Sequence, residues 1–157
     1  MRKITPFLWY DREAEEAANY YVSIFPNSKI LQVTHYGEAM PLPKGTAMTV
    51  VFELAGQKFV ALNGGPGHPF THAVSFDVSC ESQAELDSYW EKLSAGGKEV
   101  ACGWLTDKYG LSWQITPSNI GKLLSDATPA KAQAYMQAMM GMVKLDIAAL
   151  EKAYNEA

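Results

Sequence analysis

The chain has little cysteine, no long apolar run and no block of like charge. Cys80 and Cys102 are its only cysteines, and they lack Cys-x-x-Cys spacing, so buried thiols are expected rather than a disulfide or redox pair. No apolar run is long enough to span a membrane, and the first residues lack a signal-peptide core. The 13 basic residues are scattered among 17 acidic ones. We therefore expect a cytoplasmic protein with neither a nucleic-acid nor a membrane partner.

The chain does have enough apolar sequence for a core. Apolar residues make up 48% of the 157 residues and charged residues 19%. This composition is typical of a folded chain, and the length suits a single domain.

An internal repeat at an offset of 69 residues is the most informative pattern. It aligns Phe7 with Phe76 and Tyr21 with Trp90. Each copy has an extended apolar segment, an acidic turn and an amphipathic helix ending in aromatic residues. The repeat therefore predicts two similar modules.

Each predicted helix has an apolar stripe at intervals of three and four residues. Asp11 is the predicted N-cap of the first helix, and Pro26 ends it. Ser82 and Glu85 have the spacing of a capping box before the second. The two stripes comprise Ala14, Ala17, Ala18, Tyr21 and Ile24, and then Leu86, Tyr89, Trp90 and Leu93.

Strand-like segments follow each helix, so each half is predicted to be a βαβββ module. The predicted strands are residues 30–36, 46–54, 58–63, 99–106 and 111–116. Module one is placed at about 1–63, module two at about 71–117 and a helical tail at about 129–157. The tail is predicted to form two helices separated near Gly141, with a methionine-rich packing face at Met136, Met139, Met140 and Met142.

The segment from Cys102 to Pro117 resembles the signature of PhnB-like proteins in the glyoxalase, bleomycin-resistance and dioxygenase (vicinal oxygen chelate) superfamily. The segments 73–80 and 6–10 agree with it. Such proteins are often labelled 3-demethylubiquinone 3-methyltransferase, but no Gly-rich strand-to-helix loop for a nucleoside cofactor is visible. The resemblance implies an α+β fold in which two βαβββ modules form a curved mixed sheet around a cavity, and it implies a homodimer.

In metal-dependent relatives, four inner positions supply His, Glu or Gln to a divalent ion. The resemblance places these positions at Ile4, Ala73, Val60 or Ala61, and Gln114. A single amide oxygen is a poor anchor for a transition metal. We therefore expect no cofactor, and a divalent metal is disfavoured.

Strand alternation places Ser112 and Gln114 on the cavity face, together with Ser75 and Asp77. Trp104 is the tryptophan expected to line a cavity, whereas Trp9, Trp90 and Trp113 are expected to pack in the core. By the same repeat, Ile4, Pro6 and Leu8 should lie on the open face of the first strand, with Thr5, Phe7 and Trp9 under the helix.

Three residues of this second half keep two interpretations each. Gln114 either orients a substrate by hydrogen bonding or pairs with a neighbouring strand or with the symmetry-related module. Asp77 is either a general base or a solvated carboxylate. His72 is either a ligand or base, or a strand-start or loop histidine with a satisfied hydrogen bond; strand alternation would place it with Val74 and Phe76.

Three functions remain open. The first is an enzyme, namely an isomerase, a lyase or a transferase, that acts on a small oxygenated metabolite. Gln114 would polarise the substrate there, and Asp77 or His72 would move a proton. The second is a metal-free binding protein, like the bleomycin-resistance branch. The third is an interaction domain whose cavity is closed by Ile4, Leu8 and Val60. We expect a small-molecule protein without the family metal site.

Overall fold

The computed structural model describes residues 2–157, which divide into two compact units. The first ends at Pro69, and the second comprises Phe70–Ala157. Each unit contains one βαβββ module, as the repeat predicts, and the second also carries the C-terminal helices. The prediction of a single domain stays a prediction. Every helix among residues 2–157 is too short or too polar to cross a lipid bilayer.

The first module forms a four-stranded sheet with the order β1-β4-β3-β2. β1 runs parallel to β4, and the other pairs are antiparallel. The pairing of β2 with β3 shifts register between Ile30 and Gln32 and again between Thr34 and His35. The elements are β1 (Phe7–Tyr10), α1 (Ala14–Ile24), β2 (Lys29–His35), β3 (Ala47–Leu54) and β4 (Gln57–Asn63).

Helix α1 covers one face of this sheet with its apolar stripe. All five predicted stripe residues are buried. The Tyr21 ring stacks on Phe52 of β3 with centroids 6.3 Å apart, and its hydroxyl lies 3.2 Å from that of Tyr10. Burial of such an apolar stripe supplies most of the stability of a short helix.

The prediction that Asp11 caps α1 is wrong. Glu13 precedes the helix and makes no capping bond with its side chain. Instead, the first helical N–H, that of Ala14, donates to Oδ1 of Asn63 at 2.8 Å. Asn63 is buried, and its Nδ2 donates to the Ala47 carbonyl at 3.0 Å. A side chain at the end of β4 therefore serves one of the helix's unpaired donors.

The predicted faces of the first strand are reversed. Leu8 and Tyr10 are buried on the α1 side, whereas Phe7 is 63% exposed and Trp9 is 37% exposed. Trp9 therefore does not pack in the core; its indole Nε1 donates to the Gly65 carbonyl at 2.9 Å.

The cause of the reversal is the link between strand and helix. Residues 11–13 separate β1 from α1, whereas residues 81 and 82 alone separate the corresponding strand and helix of the second module. The offset of 69 residues that aligns the two helices is thus wrong by one residue for the two strands. A slip of one residue exchanges the two faces of a strand. The predicted cluster of Ile4, Leu8 and Val60 does not form, because Ile4 is 84% exposed and Val60 pairs with Phe7.

The second module repeats the topology with the order β5-β8-β7-β6. β5 is parallel to β8, and the remaining pairs are antiparallel. Ser82 accepts a hydrogen bond from the Glu85 N–H at 3.2 Å, so its capping role is confirmed. Leu86, Trp90 and Leu93 are buried, as their spacing predicts. The elements are β5 (Ser75–Cys80), α2 (Gln83–Ser94), β6 (Lys98–Glu99), β7 (Trp104–Thr106) and β8 (Ser112–Pro117).

The prediction of one continuous strand over 99–106 is wrong. The chain turns back at Cys102 and Gly103, both with positive φ, and forms β6 and β7. The N–H groups of these two residues donate to the carbonyls of Met142 and Val143, each at 2.8 Å. Because the segment forms two short strands instead of one, three strands follow α2, and the βαβββ module is complete.

Three helices follow β8, namely the two predicted over residues 129–157 and a shorter one before them. The helix α3 was not predicted, but the interruption at Gly141 is confirmed. Gln83 of α2 holds the segment after Gly141, since its side-chain amide donates to the Leu145 carbonyl and accepts from the Ile147 N–H. The helices are α3 (Ile120–Asp126), α4 (Pro129–Met140) and α5 (Ile147–Asn155).

Candidate functional site

A row of polar side chains lies on the face of the β5–β8–β7–β6 sheet opposite α2. β5 and β8 pair in parallel with Ser75 opposite Ser112 and Asp77 opposite Gln114. Residues opposite each other in paired strands project to the same face. The predicted shared face of these four residues is therefore confirmed, although their role remains a prediction.

Two hydrogen bonds link the side chains of β5 and β8. Gln114 Nε2 donates to Ser75 Oγ at 2.9 Å, and Thr116 Oγ1 donates to Asp77 Oδ1 at 2.6 Å. Thr116 is buried, whereas Asp77 is exposed. Each bond uses one polar atom of the side chain, Nε2 of Gln114 or Oδ1 of Asp77. The other polar atom, Oε1 of Gln114 or Oδ2 of Asp77, is left for a further hydrogen bond.

His72 lies beside this row, so the face that strand alternation predicted for it is wrong, whereas a loop histidine with a hydrogen bond is one of its two predicted interpretations. Its Nδ1 is 3.0 Å from Oγ of Ser112, which is fully buried. His72 sits in a turn, and β5 begins only at Ser75. Strand alternation therefore does not apply at His72, and its ring folds onto the β8 side chain.

Trp104 extends the row across a third strand. Its Cα pairs with Gln114 in the antiparallel β7–β8 ladder, so the indole shares the face of Gln114. The side chain is partly exposed. Asp77, Gln114 and Trp104 thus form one row across β5, β8 and β7, with the amide in the middle.

Several polar atoms of this row point to no protein partner. Within residues 2–157, no hydrogen bond or ion pair uses Asp77 Oδ2, Gln114 Oε1 or His72 Nε2. A carboxylate and an amide oxygen accept hydrogen bonds, and an imidazole nitrogen accepts or donates. These three atoms are therefore available for hydrogen bonds from solution without loss of the bonds that the row already makes.

The two cysteines lie outside this arrangement. Burial, with smaller effects from the Glu85 and Asp77 charges, raises the pKa of the Cys80 thiol to about 12. A protonated thiol is a poor nucleophile and metal ligand at neutral pH. Cys80 and Cys102 are both free, so neither forms a disulfide.

Asp107 supports the strands of the site from the other side of the sheet. Its buried carboxylate accepts hydrogen bonds from the backbone N–H groups of Tyr109 and Leu111 and from the indole of Trp113, at 2.8, 3.1 and 2.9 Å. These bonds fix the β7–β8 turn and the position of β8. Sequence reasoning identified the turn but not the role of its carboxylate.

The residues present do not fit the metal site of metal-dependent relatives. Residues 2–157 contain no group of three or more His, Cys, Asp or Glu side chains that could hold an ion. Among the inferred ligand positions, Ala73, Val60 and Ala61 carry no donor side chain and Gln114 carries an amide; the position at Ile4 depended on the 69-residue offset, which does not hold for the first strand. One amide oxygen supplies too few donors for a transition metal.

Two βαβββ modules, the second with polar residues on its open sheet face, are the arrangement expected of a glyoxalase-like protein. Among solved structures, the chain is 38% identical to a putative 3-demethylubiquinone-9 3-methyltransferase, PhnB protein, from Bacillus cereus. That match has a TM-score of 0.67 and covers 74% of this chain and 99% of the other. The α+β, glyoxalase-like fold is thereby confirmed.

The model of the family described as 3-demethylubiquinone-9 3-methyltransferase matches residues 2–116, and the chain belongs to this family. The resemblance to PhnB-like proteins is confirmed, and α3, α4 and α5 follow the matched region. No curated protein matches the chain.

More distant structures share the fold alone. A protein from Pseudomonas aeruginosa is 20% identical with a TM-score of 0.59, over 72% of this chain and 95% of the other. The fosfomycin resistance protein FosX from Listeria monocytogenes is 14% identical with a TM-score of 0.52, over 80% and 98%.

Proposed function

We propose that the second module binds a small polar molecule on its open sheet face, without a bound metal. The observation that supports this proposal is the row of polar side chains on β5 and β8. The cross-strand bonds of Gln114 and Asp77 fix the geometry of the row while leaving outward-facing acceptors. Preorganised polar groups of this kind lower the entropy lost on binding.

A fragment library screened by backbone and side-chain amide NMR tests the proposal. We expect bound fragments to shift the signals of β5, β8 and Trp104. The Gln114→Ala variant should weaken binding at least fivefold, about 1 kcal/mol, because one hydrogen bond is lost. Gln32→Ala, at an exposed position of β2, is the matched control and should change nothing. Fragments that bind only elsewhere, or equally to Gln114→Ala, would contradict the proposal.

A second candidate is an enzyme in which His72 moves a proton. It is supported by the bond between Nδ1 and Ser112, which orients the ring and leaves Nε2 for a substrate. The same NMR samples, kept with each bound compound, distinguish the two candidates. Conversion of a compound that His72→Ala still binds but no longer converts would establish the enzyme. If no bound compound is converted, the result would support a binding protein instead of an enzyme.

The protein is expected to act without a divalent metal. Purified, untagged protein should contain far less than one equivalent of metal. Its melting temperature should show no saturable shift with Mn, Fe, Co, Ni or Zn ions, because the donor set is incomplete. A near-stoichiometric metal content would overturn this prediction, as would a saturable shift that Gln114→Ala removes.

The homodimer and the cytoplasmic location remain predictions. Met136 and Met140 of α4 are exposed at 37% and 68%, so the methionine face is only partly covered within the chain. Sedimentation at several protein concentrations measures the oligomeric state directly.

A further inference from the structure

The open face of the second module carries a carboxylate without a cationic partner. Asp77 is exposed, and its Oδ1 accepts from the Thr116 hydroxyl. The ion pairs found among residues 2–157 use other carboxylates, namely those of Glu38, Asp87, Asp126 and Glu156. The Asp77 charge is therefore available to attract a cation from solution.

The neighbours of Asp77 suit the rest of an organic cation. Gln114 lies opposite Asp77, and Trp104 lies opposite Gln114. Since adjacent strands are about 4.8 Å apart, the backbones at Trp104 and Asp77 lie about 10 Å apart, with Gln114 between them. A tryptophan ring attracts positive charge to its face and packs against hydrocarbon or aromatic groups.

The free polar atoms of Gln114 and Asp77 are hydrogen-bond acceptors, which favours a ligand that donates hydrogen bonds. Gln114 uses its Nε2 to donate to Ser75, so its Oε1 remains as an acceptor. Asp77 Oδ2 is a second acceptor, next to it on the adjacent strand. An ammonium group has several donors and no acceptor, and it complements two neighbouring oxygens.

An anionic ligand finds less support on this face. Lys98 shares the face through its pairing with Thr106, but it lies on β6. β6 and β5 are opposite edges of the sheet, so Lys98 and Asp77 lie on strands at opposite edges. Of these two charges, the negative one lies on a strand that pairs with β8, and the His72 ring lies beside Ser112 on the same face.

We propose that this face binds a ligand with an organic ammonium group, held by Asp77 Oδ2 and Gln114 Oε1, with its apolar part against Trp104. The inference rests on the proposed function and names its ligand class. A primary amine on a short hydrocarbon or aromatic body suits the two strand spacings from Asp77 to Trp104. The site requires only binding, and no bond is made or broken.

Benzylamine, benzyl alcohol and benzoate are matched probes, since they share one ring and differ in the charge of the attached group. Titrations of the full chain are followed by amide NMR, including the Trp104 indole and Gln114 side-chain signals. We expect benzylamine to shift both signals and to bind at least tenfold more tightly than the other two. Equal or tighter binding of benzyl alcohol or benzoate would overturn the inference.

Asp77→Asn keeps the shape of the side chain and an oxygen for Thr116 but removes the charge. It should weaken benzylamine binding at least tenfold, whereas Asp126→Asn, an exposed carboxylate on α3, should have no effect. An unchanged affinity in Asp77→Asn would contradict the inference. The amide spectrum of each variant verifies its fold.

The outcomes separate this inference from the proposed function. Benzyl alcohol or benzoate binding at Gln114 and Trp104 would refute the ammonium group but keep a small-molecule site. If the three probes and the fragment library leave β5, β8 and Trp104 unshifted, the proposed function fails as well.

Discussion

Replacing Asp107 with alanine should lower the free energy of unfolding by about 4 kcal/mol. The substitution leaves two backbone N–H groups and the Trp113 indole N–H without their acceptor in a buried place. Hydrogen bonds to a charged group contribute about 1.5–3 kcal/mol each, although their losses do not add fully. Urea unfolding followed by far-ultraviolet circular dichroism measures the change.

Two further variants make the Asp107 result specific. Asp107→Asn retains one acceptor oxygen and should lose about half as much stability. Asp126→Asn removes an exposed carboxylate paired with Lys122 and should change stability by less than about 0.5 kcal/mol. A loss below about 1 kcal/mol in Asp107→Ala would show that water replaces the carboxylate, against our interpretation of the turn.

Gly97→Ala should destabilise the second module by about 3 kcal/mol. A Cβ at Gly97 would lie 2.0 Å from the Thr106 carbonyl oxygen and 2.7 Å from the Asp107 carbonyl carbon. Both atoms belong to the backbone of the β7–β8 hairpin, so no side chain can rotate away. The end of α2 would have to move off the sheet, which is the usual consequence of overpacking a core.

Gly121→Ala is the matched control for Gly97→Ala. Gly121 lies in α3, and a Cβ there meets no atom within 4 Å. Alanine favours a helix over glycine by about 1 kcal/mol, so this variant should be slightly more stable than the natural chain. Similar effects of the two substitutions would mean that the contact at Gly97 relaxes without strain.

Local sequence patterns predicted the polar face of the second module and most of its elements, but not α3 or the division into β6 and β7. The helical stripes and the Ser82 cap depend on residues within a few positions of each other. The alternation of Ser112, Gln114 and Thr116 correctly placed the polar side of β8, because β8 is a regular strand with a clear pattern.

Features set by distant contacts or by single residues could not be predicted. The Asn63 cap of α1 spans 49 positions and has no sequence signal. The turn at Cys102 requires positive φ in a residue that seldom adopts it, and it is held by carbonyls of the tail. Likewise, the place of His72 follows from a turn just before β5, where alternation has not yet begun.

The shifts in register between β2 and β3 bear on aggregation. β2 is an edge strand of seven residues, and Leu31 is 44% exposed. A long, regular edge invites pairing with another chain, but two irregularities in its backbone disturb the ladder that an incoming strand would need. The edge strand β6 has two residues, too few to template a partner. At the edges β2 and β6, pairing with another chain is thus opposed by different means, at β2 by an irregular backbone and at β6 by the short length of the strand.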